Sequence, residues 1–492
     1  MYLFLFLRSF YDRQLMKISE VEDIPPKHQK VFKEISEAGK AVAQDVYVVG
    51  GYVRDYYLNR TKDEDLLDID FVTVGSGIEI AEEIANRLNA DNLSVYKQFG
   101  TAHIKHDNMD LEFVGARKES YRSDSRKPIV EDGTLKDDQL RRDFTINALS
   151  WSLNEENYGQ LVDPFGGIQD LKKKLIRTPV DPLKTFEDDP LRMMRAIRFA
   201  TQLQFDIEEQ TYHGIEEMAE RIEIISKERI IEELNKVVLA AKPSIGFNHL
   251  FKTGLLEHFF PEMVKLHGVE EVRGVRHKDN FWHTLKVLDN VAEMDGDLWL
   301  RWAAIMHDIA KPATQKFVKG TGWTFHGHDA LGAKWVKPIF RRLGLPLDER
   351  MRYVRKLVRL HLRPIALVSD DVTDSAVRRL IYEAGDDIDD LMTLCRADIT
   401  SKNDFKVKQY NRNFDYVEKK IEEVEKKDRI RNWTNPISGD EIMEALDLGP
   451  GPVIGDIKDA IKEAILDGEI PNEHDAAYNY MMDIKDQFLE EN

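Results

Sequence analysis

The hydrophobic pattern of this chain changes once along its length, and that change limits the folds that it can adopt. Up to about residue 163, short β-branched or alternating runs are interspersed with helical spacings, a mixture typical of an α/β domain. From Pro190 to the end, amphipathic helical segments dominate. The predicted strands are residues 46–49, 67–74, 102–104 and 109–114, and the predicted helix among them is residues 78–88. The pattern therefore predicts an α+β protein, with an α/β part followed by a long helical part.

Composition restricts the class of protein and the kind of metal site. The chain has 492 residues, of which 42% are hydrophobic and 32% charged, and this fits a large globular protein of about three domains rather than a collagen-like or disordered chain. Its one cysteine, Cys395, cannot form an internal disulfide or a cysteine-based zinc site. Any metal must therefore be held by histidine and carboxylate groups. A single cysteine also indicates a reducing compartment, and we expect a cytoplasmic protein.

The first residues and the net charge indicate which partners to expect. The apolar run at residues 2–7 is too short to span a membrane and lacks the features of a secretion signal, so no membrane association is predicted. A net charge of -19 disfavours indiscriminate binding to nucleic acid. A phosphate-rich partner therefore needs a local basic surface. The basic stretch from Arg341 to Arg363 could supply it, although a solvated helix face is the alternative interpretation.

Acidic residues alternate along two of the predicted strands. Asp68 and Asp70 share one face of a strand, because side chains two positions apart point the same way. Glu112, with Asp110 two positions before it, could add a third carboxylate. Paired hard-oxygen ligands suit Mg²⁺, and two ions about 3.5–4 Å apart are typical of polymerase chemistry. The alternative for an isolated Asp-x-Asp is a solvated edge strand.

Glycine follows the first predicted strand. Gly50-Gly51 would let the backbone approach a phosphate closely, and a helix that begins near Tyr52 would point its first amides at that anion. The glycine pair alone is a weak signal. Its weight comes from the acidic strand and from the motifs that follow it along the chain.

Five motifs occur in the order found in class II tRNA nucleotidyltransferases, and the chain resembles that family over about residues 45–260. They are Val49-Gly50-Gly51-Tyr52-Val53-Arg54-Asp55, Asp68-Ile69-Asp70, Arg141-Arg142-Asp143-Phe144-Thr145-Ile146-Asn147-Ala148, Asp163-Pro164-Phe165-Gly166-Gly167 and Asp188-Asp189-Pro190-Leu191-Arg192-Met193-Met194-Arg195. The family comprises the CCA-adding enzymes and the bacterial poly(A) polymerases. The resemblance implies a nucleotidyltransferase head of the DNA polymerase β-like α/β type, followed by an all-helical neck, body and tail.

The resemblance also implies roles for individual residues. Asp68 and Asp70 would hold Mg²⁺. Glu112, chosen for its position on the neighbouring strand, is expected to join them as a catalytic residue. The expected nucleotide-binding residues are Gly50, Gly51, Arg54, Arg142, Asp143, Asn147, Asp189, Arg192 and Arg195. The alternative for Arg141, Arg142 and Asp143 is an ordinary exposed charge cluster.

Asp189 and Arg192 can be interpreted from base chemistry as well. Cytosine and adenine each present a ring-nitrogen acceptor beside an amino donor, and an arginine donor next to a carboxylate acceptor matches both. Uracil and guanine present the inverse order, so one pair could admit CTP and ATP without a nucleic-acid template. Asp188 stands where most members of the family have Glu. Asp189-Pro190 also predicts a helix start, with Asp as N-cap and Pro at the first helical position.

Residues 118–139 are polar and show no apolar period, and we expect a mobile loop there. The segment from Arg117 to Gln139 resembles the flexible loop that the family needs for the last A addition. Its presence favours full CCA addition over an enzyme that adds only the two C residues.

A second set of potential metal ligands lies in the helical part. His283, His307-Asp308 and Asp398 follow the order of ligands in the HD phosphohydrolase superfamily, which the chain also resembles in Asp308-Ile309-Ala310-Lys311-Pro312. These four residues would form a mixed nitrogen and oxygen shell for Mn, Ni, Fe or Mg. His328 and His361 are candidates for a second metal or for phosphate, whereas His277 and His326 are interpreted as packing residues. Ordinary hydrogen-bonded packing is the alternative for the whole set.

The sequence thus predicts a metal-dependent, template-independent CCA-adding tRNA nucleotidyltransferase with a fused HD domain. Its partners would be the tRNA 3′ end, CTP and ATP, and no obligate protein partner is evident. The alternatives are a poly(A) polymerase or A-adding enzyme on the same site, and an HD phosphohydrolase whose head merely binds RNA. The predicted domains are a peripheral extension (1–30), the head (31–175), a helical neck (176–262), the HD domain (263–400) and a helical tail (401–492).

Overall fold

The chain divides into two compact units in the computed structural model. One comprises Met1–Val237 with Asn248–His258, and the other comprises Val238–Phe247 with Phe259–Asn492. The predicted five-part division stays a prediction. The structure describes residues 24–60, 68–90, 92–122, 125–269, 271–272, 275–276, 278–367, 373–401, 403–428, 431 and 433–489.

The first unit is built on a seven-stranded sheet with the order β3-β4-β5-β2-β1-β8-β9. Its strands are β1 (Asp45–Val49), β2 (Asp68–Val74), β3 (Leu93–Tyr96), β4 (Thr101–His106), β5 (Met109–Gly115), β8 (Ser150–Ser152) and β9 (Leu161–Val162). Strands β2 and β5 run parallel, and the other neighbours run antiparallel. The four predicted strands are therefore present, to within one or two residues at their ends.

Alternation along β2 and β5 fixes the two faces of this sheet. Ile69 and Phe71 on β2 are buried, as are their partners Leu111 and Phe113 on β5. The rings of Phe71 and Phe113 stack with centroids 4.8 Å apart. The alternate positions on these strands carry acidic side chains, so the opposite face of the sheet is polar. Helix α1 (Pro26–Ala41) covers the apolar face, where Phe32 contacts Phe71 edge-on.

Gly50 makes the turn from β1 into helix α2 (Gly51–Tyr57). Its backbone angles, φ 73° and ψ -130°, are disfavoured for residues with a side chain. A Cβ atom there would lie 3.1 Å from the Arg142 guanidinium and 3.6 Å from the Asp70 carboxylate. Glycine thus allows a strand end, a metal-type carboxylate and an arginine to meet at one point.

The mobile loop predicted for residues 118–139 is wrong. Strands β6 (Arg117–Arg122) and β7 (Ser125–Asp132) pair antiparallel, and helix α4 (Leu135–Leu140) follows them, after α3 (Gly77–Leu88) earlier in the chain. A capping box between Thr134 and Asp137 starts α4. The hairpin strands were missed because their sequence lacks the apolar alternation of a strand with one buried face.

The next eight helices come after the sheet in the sequence, and the chain passes between the two units within this stretch. They are α5 (Gly167–Lys173), α6 (Pro182–Asp188), α7 (Leu191–Leu203), α8 (Glu209–Met218), α9 (Lys227–Val238), α10 (Pro243–Lys252), α11 (Leu255–Phe259) and α12 (Pro261–Val264). A short parallel pair, β10 (Leu175–Ile176) and β11 (Asp206–Ile207), also lies here. Short 3-10 helices are Lys97–Phe99, Thr145–Asn147, Glu155–Asn157, Ala219–Ile224 and, in the second unit, Gly385–Asp387.

Helix α7 begins one residue later than predicted. Its first residue is Leu191, so Pro190 precedes the helix instead of occupying its first position. Pro190 is therefore the N-cap, and the prediction that Asp189 takes this position is wrong. The Oδ1 atom of Asp189, one residue earlier, still accepts a hydrogen bond from the Leu191 amide at 3.2 Å.

The second unit is largely helical, with two short antiparallel strand pairs. The pairs are β12 (Glu271–Val272) with β13 (Val275–Arg276), and β14 (Lys316–Val318) with β15 (Gly322–Thr324). Its helices are α13 (Asn280–Glu293), α14 (Leu298–Met306), α15 (Lys311–Thr314), α16 (His328–Leu343), α17 (Glu349–Leu360), α18 (Arg363–Ala366), α19 (Asp374–Ala384), α20 (Ile388–Ala397), α21 (Asp404–Asp428), α22 (Gly439–Leu446), α23 (Pro452–Asp467) and α24 (His474–Leu489). The last three helices share an isoleucine-rich core that includes Ile442, Ile457 and Ile461.

Every helix within the described residues is too short or too polar to cross a membrane.

Candidate active site and metal centre

All twelve residues predicted for the nucleotidyltransferase site meet in one cleft of about 730 Å³. The sheet supplies one wall, and the turn at Gly50, the 3-10 helix Thr145–Asn147 and helix α7 supply the others. The residues are Gly50, Gly51, Arg54, Asp68, Asp70, Glu112, Arg142, Asp143, Asn147, Asp189, Arg192 and Arg195. Five sequence segments that are far apart along the chain thus contribute to one concave surface.

The acidic wall of the cleft follows from strand register. Asp68 pairs with Asp110 and Asp70 pairs with Glu112 across the parallel strands β2 and β5, so all four side chains are on one face. Restricted access to water in the cleft is the largest cause that raises the pKa of Asp70, and the charge of Asp68 adds to it, while Arg142 opposes both. The pKa of Glu112 is raised as well, mainly because its carboxyl group is shielded from water and also because of the charge of Asp70. Crowded carboxylates of this kind fit a divalent cation with oxygen ligands, such as Mg²⁺.

A chain of hydrogen bonds forms the wall opposite the acids. Arg54 donates to Asn147 Oδ1 at 2.9 Å, and the Asn147 amide donates to Asp143 Oδ1 at 3.0 Å. Arg195 donates to the other oxygen of Asp143. Burial alone would raise the pKa of Asp143, but the charge of Arg195 and the hydrogen bond from Asn147 outweigh it and lower the pKa to about 2. Arg54 and Arg195 are thereby held in place beside the acidic wall.

Asp189 and Arg192 are both held by hydrogen bonds within the protein. Arg192 donates to the carbonyl oxygens of Thr185 at 3.3 Å and Arg141 at 2.5 Å. Asp189 accepts from the Leu191 amide through Oδ1 and from the Arg229 side chain at 3.1 Å through Oδ2. These bonds hold both side chains in the cleft, which both of them line.

The four HD residues predicted to bind metal also meet in the second unit. His283 Nε2 lies 2.9 Å from Asp398 Oδ1 and 3.5 Å from Asp308 Oδ2. His307 Nε2 lies 3.2 Å from Asp308 Oδ2 and 3.9 Å from Asp398 Oδ1. The donor atoms of His283, His307 and Asp398 are within 4.8 Å of one another.

A second group of donor atoms adjoins the first through Asp308. Asp308, His328 and His361 are buried, and their donor atoms are also within 4.8 Å of one another. His328 Nε2 lies 3.3 Å from Asp308 Oδ1 and 3.3 Å from His361 Nε2. Of the two histidines interpreted as packing residues, His326 is exposed and His277 lies outside the described residues.

The histidine tautomers fit a metal. The Nδ1 atoms of His307, His328 and His361 each lie 2.7 Å from a backbone carbonyl oxygen, which can only accept, so each Nδ1 carries the hydrogen. Their Nε2 atoms face Asp308, and those of His328 and His361 also face each other. Burial is the largest cause that lowers the pKa of His361, to about 4, so that this ring is neutral at pH 7. Burial would also lower the pKa of His307, but the charge of Asp308 and its hydrogen bond outweigh it and raise that pKa. Imidazole nitrogens grouped around carboxylates are donors that a divalent cation can bind.

Both parts of the chain that carry these sites match known protein families. Residues 46–177 match the poly A polymerase head domain, residues 204–266 a probable RNA and SrmB binding site of polymerase A, and residues 280–402 the HD domain. An A-adding tRNA nucleotidyltransferase of Deinococcus radiodurans is 34% identical over 354 residues, which are 70% of this chain and 78% of that protein. The chain is a member of the tRNA nucleotidyltransferase and poly(A) polymerase family.

Two further relatives extend the comparison of this nucleotidyltransferase. The multifunctional CCA protein of Ralstonia nicotianae is 33% identical over 317 residues, which are 62% of this chain and 70% of that protein. The structure of the Bacillus stearothermophilus CCA-adding enzyme in complex with CTP has a TM-score of 0.67 at 22% identity, and the alignment covers 95% of this chain and 100% of that one. That structure shows a shared fold.

Several residues of the nucleotidyltransferase cleft were missed from the sequence. Buried Asp138 holds the guanidinium groups of both Arg141 and Arg142, with Arg142 Nε at 3.0 Å. The Asp138 and Arg142 pair has helical i,i+4 spacing, which was a usable signal. Phe199 packs beneath the guanidinium of Arg54 at 5.1 Å and of Arg198 at 3.9 Å. No local pattern indicated it, because α7 brings Phe199 to the cleft from another part of the fold.

His103 is a further missed residue at the acidic wall. It lies opposite Glu112 on β4, with Nδ1 3.7 Å from Asp110 and Nε2 3.7 Å from Glu112. Alternation along the strand predicted at residues 102–104 places His103 on the polar face, so the signal was present but was not used.

Proposed function

We propose that this nucleotidyltransferase adds C, C and A to the 3′ end of tRNA from CTP and ATP, without a nucleic-acid template, and releases pyrophosphate. The observation that carries the proposal is the single cleft in which the acidic wall of Asp68, Asp70 and Glu112 stands against the arginine-lined wall. Carboxylates can bind the metal ion and accept the proton of the attacking hydroxyl, and arginines can donate hydrogen bonds to a triphosphate.

The residues of the cleft then divide the work. Three arginines hold the phosphates: Arg54, Arg142 and Arg195. The side chains of Asp143 and Asn147 orient these arginines and also contact the sugar. Oxygen of the tRNA 3′-hydroxyl bonds to the α-phosphorus, the bond from that phosphorus to the β-phosphate oxygen breaks, and the hydroxyl proton passes to the carboxylates near Glu112. Mg²⁺ held by Asp68 and Asp70 would supply positive charge to the attacking and leaving oxygens. Positioning and charge neutralisation account for most of the catalysis.

Adding only the terminal A is the second candidate, and the Deinococcus A-adding relative favours it. The deciding experiment uses tRNA that lacks CCA and tRNA that lacks only the terminal A, each with labelled CTP or labelled ATP. CCA addition predicts CMP incorporation into the first RNA and a single AMP into the second. AMP incorporation into the second RNA alone would establish A addition. Extension by many A residues from ATP would establish a poly(A) polymerase.

The HD centre supports a metal-dependent phosphohydrolase with Mn, Ni, Fe or Mg on His283, His307, Asp308 and Asp398. Its substrates would be 2′-phosphates or cyclic phosphates, as the resemblance implies. Hydrolysis of such an RNA end should depend on added metal, and no hydrolysis with Mg²⁺, Mn²⁺, Ni²⁺ or Co²⁺ would make the domain a scaffold. Hydrolysis without any nucleotide addition would favour an HD phosphohydrolase with an RNA-binding head.

We also infer that the protein acts in the cytoplasm, because its single cysteine suits a reducing compartment. Its recovery with cytoplasmic marker proteins after cell fractionation would test this, and recovery with membranes would contradict it.

A further inference from the structure

A basic groove runs between two helices of the second unit, α16 (His328–Leu343) and α17 (Glu349–Leu360). It has a volume of about 860 Å³. Positively charged side chains form both walls, and Glu383 is the acidic residue among the described residues that line it. The cations are Lys334, Lys337, Arg352, Arg355, Lys356 and Arg359.

Most of these cations are uncompensated. Lys356 pairs with Asp387 at 2.6 Å, and Arg359 pairs with Asp329. The other four cations form no ion pair with an acidic group of the described residues, and all four are exposed. In a chain with a net charge of -19, such a concentration of positive charge is a local feature that attracts an anionic partner.

The spacing of the cations suits a linear polyanion. On α17 they follow at i, i+3, i+4 and i+7, so they form a single row on one face. On α16, Lys334 and Lys337 face them across the groove. Seven residues of helix span about 10 Å. The row is therefore long enough to contact more than one phosphate of a nucleic-acid strand.

Both helices also carry ligands of the HD centre at the same end of the groove. His328 is the first residue of α16, and His361 directly follows α17. Ala330 and Leu360, their near neighbours in sequence, line the groove. An anionic chain bound in the groove would thus lead toward a metal-type centre whose donor set suits phosphate chemistry.

We propose that this groove binds the sugar–phosphate backbone of tRNA. The choice of tRNA rests on the function proposed for the head, whereas the preference for a polyanion rests on the unpaired cations alone. Two of the lining residues, Ala330 and Ala333, have small side chains and leave room for a sugar–phosphate backbone in the groove. Contacts from lysine and arginine side chains to phosphates depend on salt and tolerate different base sequences.

The test measures binding of the full chain to tRNA lacking CCA over a range of salt concentrations. The variant Lys334→Gln with Arg355→Gln removes two groove cations, and Lys286→Gln with Arg341→Gln removes two exposed cations of the same unit outside the groove. Two lost phosphate contacts lower the slope of log affinity against log salt by about 1.4–1.8. The affinity lost between about 50 mM and about 200 mM salt is then about seven- to twelvefold smaller than for the parent. The control pair should retain the parent slope.

An unchanged slope in the folded groove variant, or an equal change in the control pair, overturns the proposal. Loss of binding to vesicles of phosphatidylcholine and phosphatidylserine, with tRNA binding intact, overturns it in favour of a membrane surface. Nucleotide addition is measured on the same samples at saturating tRNA, where the control pair should match the parent. The parent protein could fail to add nucleotides while the groove variant still shows the lower slope. That result would contradict the function proposed for the head but not the proposed groove.

Discussion

Arg195 donates two hydrogen bonds to the same oxygen of Asp143, from Nε at 2.7 Å and from a terminal nitrogen at 2.5 Å. The other oxygen of Asp143 accepts from Asn147. Since Asp143 is only 7% exposed, its charge depends on these partners. The pair therefore supports both the fold of the head and the geometry of the proposed nucleotide site.

Replacing Arg195 should destabilise the protein more than replacing an arginine in an exposed ion pair. Arg195→Gln leaves a buried carboxylate short of a partner, a change that costs about 3–5 kcal/mol when both groups are fully buried. Because the Arg195 side chain is 35% exposed, we expect a loss of about 2–3 kcal/mol. The matched control is Arg229→Gln, whose exposed pair with Asp189 should contribute less than about 1 kcal/mol. Urea unfolding of the full chain measures both, and equal losses would contradict the prediction.

The same pair should also make stability depend on pH in acid. The pKa of Asp143 is about 2 in the folded protein, below the ordinary value of about 3.9. A lowered folded pKa contributes stability that is complete above about pH 4 and is lost as the pH falls toward about 2. The free-energy difference between the parent and Arg195→Gln should therefore shrink across that interval. Unfolding curves recorded from pH 7 downward test this, and a constant difference would show that Asp143 is not the titrating group.

Neutralising the acidic wall should abolish nucleotide addition without unfolding the head. Asp68→Asn with Asp70→Asn removes two metal-type ligands but keeps the shape of exposed side chains. We expect the rate of labelled AMP or CMP incorporation to fall by at least about 10³-fold, or about 4 kcal/mol of barrier. The melting temperature and the affinity for tRNA should stay near the parent values. A folded variant that still adds nucleotides would disprove the assignment of these carboxylates.

Two substitutions at Asp189 separate base selection from helix capping. Asp189→Ala removes both the acceptor and the cap on the Leu191 amide. Asp189→Asn can keep the hydrogen bond to the Leu191 amide through its oxygen, while an amino donor replaces the oxygen that accepts from Arg229. Asparagine should therefore relax rejection of UTP and GTP by about 1–3 kcal/mol, measured as ratios of kcat/KM, with little change in stability. Unchanged ratios in both variants would leave Asp189 with the capping role alone.

Metal content should report on the two donor groups of the HD domain. If each group holds an ion, His328→Ala with His361→Ala should lower the metal bound per chain from about two to about one, because a site that loses two of three ligands binds weakly. His326→Ala is the control, since His326 is exposed and belongs to neither group. Elemental analysis of protein dialysed against Mn²⁺ measures the content. Loss of all metal in the double variant would mean one shared site, and unchanged content would exclude both histidines.

The sequence predicted the acidic wall because it is a local property of strands. Alternation of Asp68, Ile69 and Asp70 determines which side chains point to the same face, and parallel register with Glu112 extends that face to a second strand. The five motifs predicted the rest of the cleft because each carries its residues within a few positions. The HD ligands were predicted in the same way, although they come from separate helices.

Residues that act across long distances in sequence were not predicted. Glu233 on α9 accepts a 2.5 Å hydrogen bond from Arg198 and so continues the chain of charges behind Asp143, yet nothing near it in sequence indicates this contact. Asp138 was assigned to a loop because the hairpin before it has no apolar face to reveal its strands. Local periodicity reports burial, and partly exposed elements provide little of that signal.

The alternation along β2 and β5 links assembly of the head to assembly of its chemistry. A shift of one residue in the pairing of these strands would turn Ile69 and Phe71 toward water and press Asp68 and Asp70 into the core. Such a misaligned sheet loses its apolar contacts and also buries charge. It is therefore much less stable than the native sheet, and very few molecules adopt it. Molecules of this enzyme that have folded at all therefore hold their carboxylates in the arrangement the cleft requires, and damaged sites arise through unfolding rather than through a sheet that has folded out of register.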